Sequence, residues 1–288
     1  MTKRIALVAL LGSAVIVVGA GALILRPDSW TSRSTVASNV LGRDMPIEVF
    51  APPGPHCASA PVLILFHGRG EDERQWMEGA LFDGVGIDAT ARRLVEAEQL
   101  KPLTIVSASI DDSYGVDSAP ANDGYDHGPY ERYIVDELVP AVRERYGSGG
   151  LSPLYVGGLS MGGFAALNVA FRHPDMFAGI GALSPAFFIA PPSDREWIYS
   201  ADGGSSLFDL AEASAAYGKH VFLGYGDHDY DWVQRATDQL KDTLNARGTE
   251  VGFDVVPGGH EASSWRPLSE AMLRQLFGTT PASFGCEL

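Results

Sequence analysis

Apolar and polar positions along this 288-residue chain change rhythm repeatedly, and each change marks a predicted element. Pro61-Val-Leu-Ile-Leu-Phe66 is a continuous apolar run, the pattern of a strand covered on both faces. Leu103-Thr-Ile-Val-Ser-Ala108, Leu154-Tyr-Val156 and Gly179-Ile-Gly-Ala-Leu183 read the same way, and His220-Val-Phe-Leu-Gly224 and Val251-Gly-Phe-Asp-Val-Val256 complete the set. Met45-Pro-Ile-Glu-Val-Phe50 alternates, reads as an early strand, and is ended by Pro52-Pro53. Helical spacing appears between these runs, over roughly 86–99, 129–146, 162–172, 231–247 and 265–277. In the second of these, Tyr133, Ile134, Leu138 and Val142 form one apolar stripe. Alternating strands and helices predict a mostly parallel sheet with helices on both faces, an α/β domain over 45–288.

Two irregular stretches interrupt the alternation. Residues 109–128 carry Asp111, Asp112, Asp117, Asp123 and Asp126, and residues 184–218 contain prolines and Gly203-Gly204. Both follow core strands, where α/β proteins place binding sites, so both are expected to wall a cleft. The first reads equally well as a solvated acidic loop. Trp76, Trp197, Trp232 and Trp265 are candidates either for such a cleft or for core packing.

The N-terminus is a separate object. Lys3-Arg4 precede the uncharged residues Ile5 through Leu25, so residues 1–28 read as a signal peptide or a signal anchor able to hold the chain in a membrane. Either places the body outside the cytoplasm, secreted or anchored. Residues 29–44 are polar and Ser/Thr-rich and read as a linker. Cys57 and Cys286 can pair in such a compartment or stay independent thiols. Composition narrows the partners further. The formal net charge of −15 argues against nucleic acid or an anionic membrane surface as a partner.

The chemistry concentrates after the third core run, at Gly158-Leu-Ser160-Met-Gly-Gly163. A strand that ends at a glycine-flanked serine and turns at once into a helix is the nucleophile elbow, which raises a hydroxyl above the sheet edge. A serine needs a base, and His260, in the glycine-bearing Val256-Pro-Gly-Gly-His260 loop, leads the seven histidines. The base needs a carboxylate. Gly224-Tyr-Gly-Asp227-His-Asp229-Tyr-Asp231 offers three, of which Asp227, directly off the strand, leads and Asp229 follows. Asp231 reads as a helix-start residue. The Asp-x-Asp-x-Asp spacing resembles a calcium loop, but Trp232 stands where glycine is required, so no metal is expected. An oxyanion requires two N–H donors, expected from Met161 and from Arg69 in His67-Gly-Arg-Gly70, with Gly70 as alternative. The Arg69 side chain reads either as a solvated arginine or as a group favouring anionic substrates.

Taken together, these motifs resemble the esterase D-like branch of the α/β-hydrolases, which includes S-formylglutathione hydrolases, feruloyl and acetyl xylan esterases, enterochelin esterases and mycolyltransferases. The resemblance covers roughly 45–277. Besides the elbow, it is carried by His67-Gly-Arg-Gly70, Asp136-Glu-Leu-Val-Pro140, Arg172-His-Pro-Asp-Met-Phe177, Leu183-Ser-Pro185, Gly224-Tyr-Gly-Asp227 and Pro257-Gly-Gly-His260. It implies the α/β-hydrolase fold, a Ser160-His260-Asp227 triad, and oxyanion donors at Arg69 and Met161, with no cofactor or metal. The activity implied is serine esterase chemistry on a small-molecule, carbohydrate or lipid ester. The alternatives are acyl transfer to a sugar or lipid, and a noncatalytic binding protein on the same fold. The chain departs from the family pattern at His228-Asp229 after the expected acid and in the acid-rich 109–128 loop.

Overall fold

The computed structural model describes residues 30–52, 60–77, 84–147, 152–200, 205–213 and 220–278. Eight strands form one sheet: β1 (Thr31–Ser38), β2 (Arg43–Phe50), β3 (Val62–Phe66), β4 (Thr104–Ala108), β5 (Leu154–Leu159), β6 (Gly179–Leu183), β7 (His220–Gly226) and β8 (Val251–Val256). Their spatial order is β1-β2-β4-β3-β5-β6-β7-β8. The β1/β2 and β2/β4 pairs are antiparallel and every later pair is parallel. This is the mostly parallel sheet that the apolar runs predict.

Eight α-helical segments among the described residues complete the fold: α1 (Ile87–Glu96), α2 (Tyr130–Arg132), α3 (Val139–Tyr146), α4 (Met161–Arg172), α5 (Trp197–Ser200), α6 (Leu207–Ala213), α7 (Asp231–Ala246) and α8 (Ala262–Phe277). Side-chain alternation sends each central strand's residues to two cores. Ile64 and Phe66 enter one with Tyr133, Phe164, Leu240 and Leu244; Leu63 and Leu65 enter the other with Leu94, Leu268, Met272 and Leu276. One face is thus covered by α3, α4, α6 and α7, and the other by α1 and α8.

Two features depart from the sequence reading. Residues 31–38, expected within a linker, form β1, paired along its length with β2. It is an edge strand with most residues exposed, so its serines, threonines and Arg33 carry no apolar rhythm. Tyr133–Leu138, between α2 and α3, is π-helical. Pro140 just beyond it lacks the N–H that would bond the carbonyl four residues back, and a wider turn accommodates its ring. The signal or anchor segment 1–28 and both cysteines lie outside the described residues; no helix among the described ones is long and apolar enough to cross a membrane.

Candidate active site

The elbow forms where β5 meets α4. Ser160 has φ 51° and ψ −119°, a positive-φ conformation that a non-glycine residue rarely adopts. Its N–H donates to the Leu183 carbonyl (2.9 Å), and its own carbonyl accepts the N–H groups of Phe164 and Ala186 (3.1 and 2.8 Å). The flanking glycines are required by contact. A Cβ on Gly158 would stand 2.1 Å from the Gly162 carbonyl oxygen, and one on Gly162 would stand 2.2 Å from that of Phe66. The turn therefore packs backbone against backbone and fixes the serine hydroxyl at the carboxyl edge of the sheet.

The loop between β8 and α8 brings His260 over this edge. His260 Nε2 lies 2.8 Å from Ser160 Oγ, and His260 Nδ1 lies 2.8 Å from Asp229 Oδ1. A carboxylate only accepts, so Nδ1 carries the proton and the Nε2 lone pair faces the serine hydroxyl. The partner of His260 is therefore Asp229, in place of the expected Asp227. The difference comes from the turn after β7. The Asp227 side chain faces outward, pairs with His228 Nδ1 (2.7 Å), and accepts the Gly258 N–H (2.9 Å), which holds its carboxyl below the usual range. The chain then turns back, with the Asp229 N–H on the Gly226 carbonyl (2.9 Å), so the Asp229 side chain is fully buried beneath the histidine. Gln234 on α7 donates from Nε2 to the carbonyls of Gly226, Asp227 and Asp229 (3.2, 3.2 and 3.1 Å), pinning that turn. Asp231 lies in the first turn of α7, paired with Arg235, as its helix-start reading implies.

The loop after β3 supplies backbone donors. The Gly68 N–H donates to Gln75 Oε1 (2.7 Å) and the Gly70 N–H to Asp112 Oδ1 (2.6 Å). Between them, the Arg69 N–H has no protein acceptor among the described residues. Gly70, the alternative donor, is thus already committed. Met161 heads α4, where the first N–H groups find no partner within the helix. Beneath the loop, the buried His67 donates from Nδ1 to the Gly68 carbonyl (2.8 Å) and accepts the Ile110 N–H at Nε2 (3.1 Å). Burial holds its pKa below the ordinary 6.5.

Ser160 and His260 open into a cavity of about 720 Å³. Both irregular stretches wall it: Tyr114 and Tyr125 come from the first, and Ala186, Phe188 and Arg195 from the second. Of the four tryptophans singled out as cleft candidates, Trp232 and Trp265 line it. Trp76 is fully buried, donating to the Phe66 carbonyl (2.9 Å), and Trp197 packs behind the wall against Tyr114, Tyr125 and His127. The acidic residues of 109–128 are largely spent on structure: Asp111 on Arg43 and Tyr130, Asp112 on Gly70, Asp117 on Arg132, and Asp123 on His127. The other described histidines lie elsewhere. His173 pairs with Glu131, His220 opens β7, and His127 links Ser118 to Asp123 within its own loop. Tyr230, whose ring lies 5.2 Å from that of His260, and Gln234 carried no sequence signal, since neither belongs to a spaced motif.

Comparison with known proteins agrees with this architecture. The family model described as "Putative esterase" matches residues 38–276. A relative from Xylanibacter ruminicola, an endo-1,4-beta-xylanase/feruloyl esterase, is 28% identical over 224 residues, 75% of this chain and 26% of the relative. The chain spans from about a quarter to half the length of the curated relatives it matches. Among solved structures, a ferulic acid esterase superposes with a TM-score of 0.70 at 23% identity, covering 86% of this chain and 97% of the other. An S-formylglutathione hydrolase from Staphylococcus aureus superposes with a TM-score of 0.63 at 18% identity, covering 84% and 96%. The shared fold is that of the α/β-hydrolases.

Proposed function

Because the chain belongs to this esterase family, we propose that it is a serine hydrolase of carboxylic esters, working through an acyl-enzyme on Ser160. The observation that carries the reading is the Ser160–His260–Asp229 chain of hydrogen bonds at the mouth of a cavity. His260 Nε2 takes the Ser160 proton as Oγ attacks the ester carbon, and the buried Asp229 carboxylate stabilises the imidazolium that forms. The carbonyl oxygen becomes an oxyanion, held by the N–H groups of Met161 and Arg69. Collapse expels the alcohol, which takes the proton from His260. Water, deprotonated by the same nitrogen, then frees the acid and restores the serine.

The relatives' printed activities, on feruloyl esters and S-formylglutathione, support an acyl-oxygen or acyl-sulfur substrate. We place the enzyme outside the cytoplasm on the strength of Lys3-Arg4 and the apolar Ile5–Leu25 run. Replacing Ser160 with alanine is expected to lower the rate of 4-nitrophenyl acetate hydrolysis by on the order of 10⁶. Full activity in that variant would remove Ser160 from the mechanism, absence of turnover in the wild-type protein would favour a noncatalytic binding scaffold, and release of acylated sugar in place of free acid would assign acyl transfer.

A further inference from the structure

The cavity lining falls into two contact groups of different character. On the His260 side, Phe188 stacks on Trp232 (ring centres 4.5 Å apart), Trp232 stacks on Tyr230 (5.9 Å), and Trp265 meets His260 edge-on (5.2 Å). On the Arg69 side, two guanidinium groups share one ring. Arg69 Cζ lies 4.4 Å from the centre of Tyr125, and Arg195 Cζ lies 4.6 Å from the same centre. Tyr125 and Arg195 come from the two irregular stretches, and Arg69 from the loop after β3, so three separate segments converge to make this cationic patch.

Like charges on one ring repel, and the compensation present is incomplete. Arg195 pairs with Asp194 (2.7 Å), whereas Arg69 has no carboxylate partner among the described residues. Counting these three groups, the patch at Tyr125 carries about one net positive charge, in the cavity that holds Ser160 and on a chain whose formal net charge is −15. The cavity's third arginine, Arg266, is committed by Nε and Nη2 to the Gly84 carbonyl. Two carboxylates, Glu71 and Glu261, also line the cavity and disfavour an anion placed near them. A planar guanidinium held against a ring keeps its edge available for hydrogen bonding to a carboxylate or phosphate. In Arg195 the Nη1 corner is taken by the Asp194 carboxylate and carbonyl (2.7 and 3.2 Å), so the two-point contact falls to Arg69.

We propose that the site selects esters bearing a negatively charged group, carboxylate or phosphate, which docks on Arg69 and Arg195 at Tyr125 while an apolar or aromatic portion lies along Phe188, Tyr230 and Trp232. This rests on the ester hydrolase reading above and specifies its substrate class.

Two ester pairs test it and locate the charge. Mono-4-nitrophenyl adipate and its methyl ester differ by a carboxylate in the acyl group; 3-(4-acetoxyphenyl)propionate and its methyl ester differ by one in the alcohol. The charged member of at least one pair should show kcat/KM higher by roughly 10- to 100-fold, the range of a charge-assisted contact. That preference should fall towards unity in R69A/R195A, with a raised KM, and survive in part in R195K. In the wild-type protein, 3-phenylpropionate should compete with substrate far better than 3-phenylpropionamide, and the advantage should shrink with added salt. This last measurement needs no variant to fold. Ser160-dependent turnover of the neutral esters without preference for either charged partner, or a preference that R69A/R195A retains, overturns the inference and leaves the esterase reading intact. Absence of Ser160-dependent turnover for all four esters overturns the esterase reading itself.

Discussion

Exchanging Asp229 for asparagine separates the acid beneath His260 from its exposed neighbour. In the native site the imidazolium formed during proton transfer stands 2.8 Å from a carboxylate with no solvent exposure. At a charge separation of about 4 Å and an effective dielectric of about 20, that attraction amounts to about 4 kcal/mol, or about three decades in rate. The amide would keep the geometry. The Tyr230 N–H donates to Asp229 Oδ1 (2.7 Å), the same atom that faces His260, so an amide oxygen is favoured at that position and the tautomer is retained. The expected loss in kcat is therefore about 10³, set by charge alone, rising to on the order of 10⁴ if the amide turns its NH₂ to Nδ1 and imposes the wrong tautomer. Asp227→Asn should change kcat by less than about tenfold, because that carboxylate is solvated and bonds only the loop and His228. Initial rates on 4-nitrophenyl acetate, with thermal unfolding to confirm folded protein, decide the matter. A loss of about 10³ in the Asp227 variant alongside near-native rates in the Asp229 variant would refute the assignment.

The buried His67 makes stability depend on pH. Its folded pKa is below 6.5, so as pH falls the unfolded chain takes up the proton first; its contribution is fully present above about 6.5 and is lost as pH drops towards the folded value, by up to about 1.4 kcal/mol per pH unit. Urea unfolding at pH 7.5 and 5.5 should show a steeper loss in the wild type than in His67→Gln, and equal losses would remove His67 from the account. Gly162→Ala should destabilise the fold by about 3 kcal/mol or more, since its Cβ would meet backbone oxygens of Phe66 and His67 at 2.2 and 2.5 Å. Gly259→Ala, whose nearest neighbour would be the His228 carbonyl at 3.6 Å, should stay within about 1 kcal/mol of wild type in the same melts.

The parts legible in the sequence are those written in short-range pattern. The β3 and β6 strands appear as runs without a polar side chain and β4 as a run broken only by Thr104 and Ser107, because both faces are buried, and the elbow appears because the glycines its contacts require crowd into one short segment. What stayed hidden depends on direction. β1 exposes five of its eight residues, and its one buried apolar side chain, Val36, sets no rhythm that separates it from a linker; its pairing with β2 makes it a strand. Asp227 and Asp229 stand two residues apart with equivalent local sequence. Their difference lies in a turn closed by backbone bonds to Gly226, Val256 and Gly258, contacts about thirty residues away in part, and in the Gln234 amide arriving from α7. Proximity to the strand end is a poor guide when the first residue beyond it is used to fasten a neighbouring loop.

Arg69 is an apt place to couple charge recognition to chemistry. Its N–H is left free because its two neighbours are tied to Gln75 and Asp112, so the peptide is held rigidly while the side chain leaves towards Tyr125. A bound anion pulling on the guanidinium would thus act on a residue whose backbone is fixed from both sides. Binding energy at the patch can orient the ester without distorting the oxyanion donor, which is the condition for remote contacts to raise kcat as well as lower KM. Arg195 offers no such link, being on a wall segment that contributes no donor to the reacting carbonyl. Removing the Arg69 side chain should therefore affect both parameters, and removing that of Arg195 should act on KM alone.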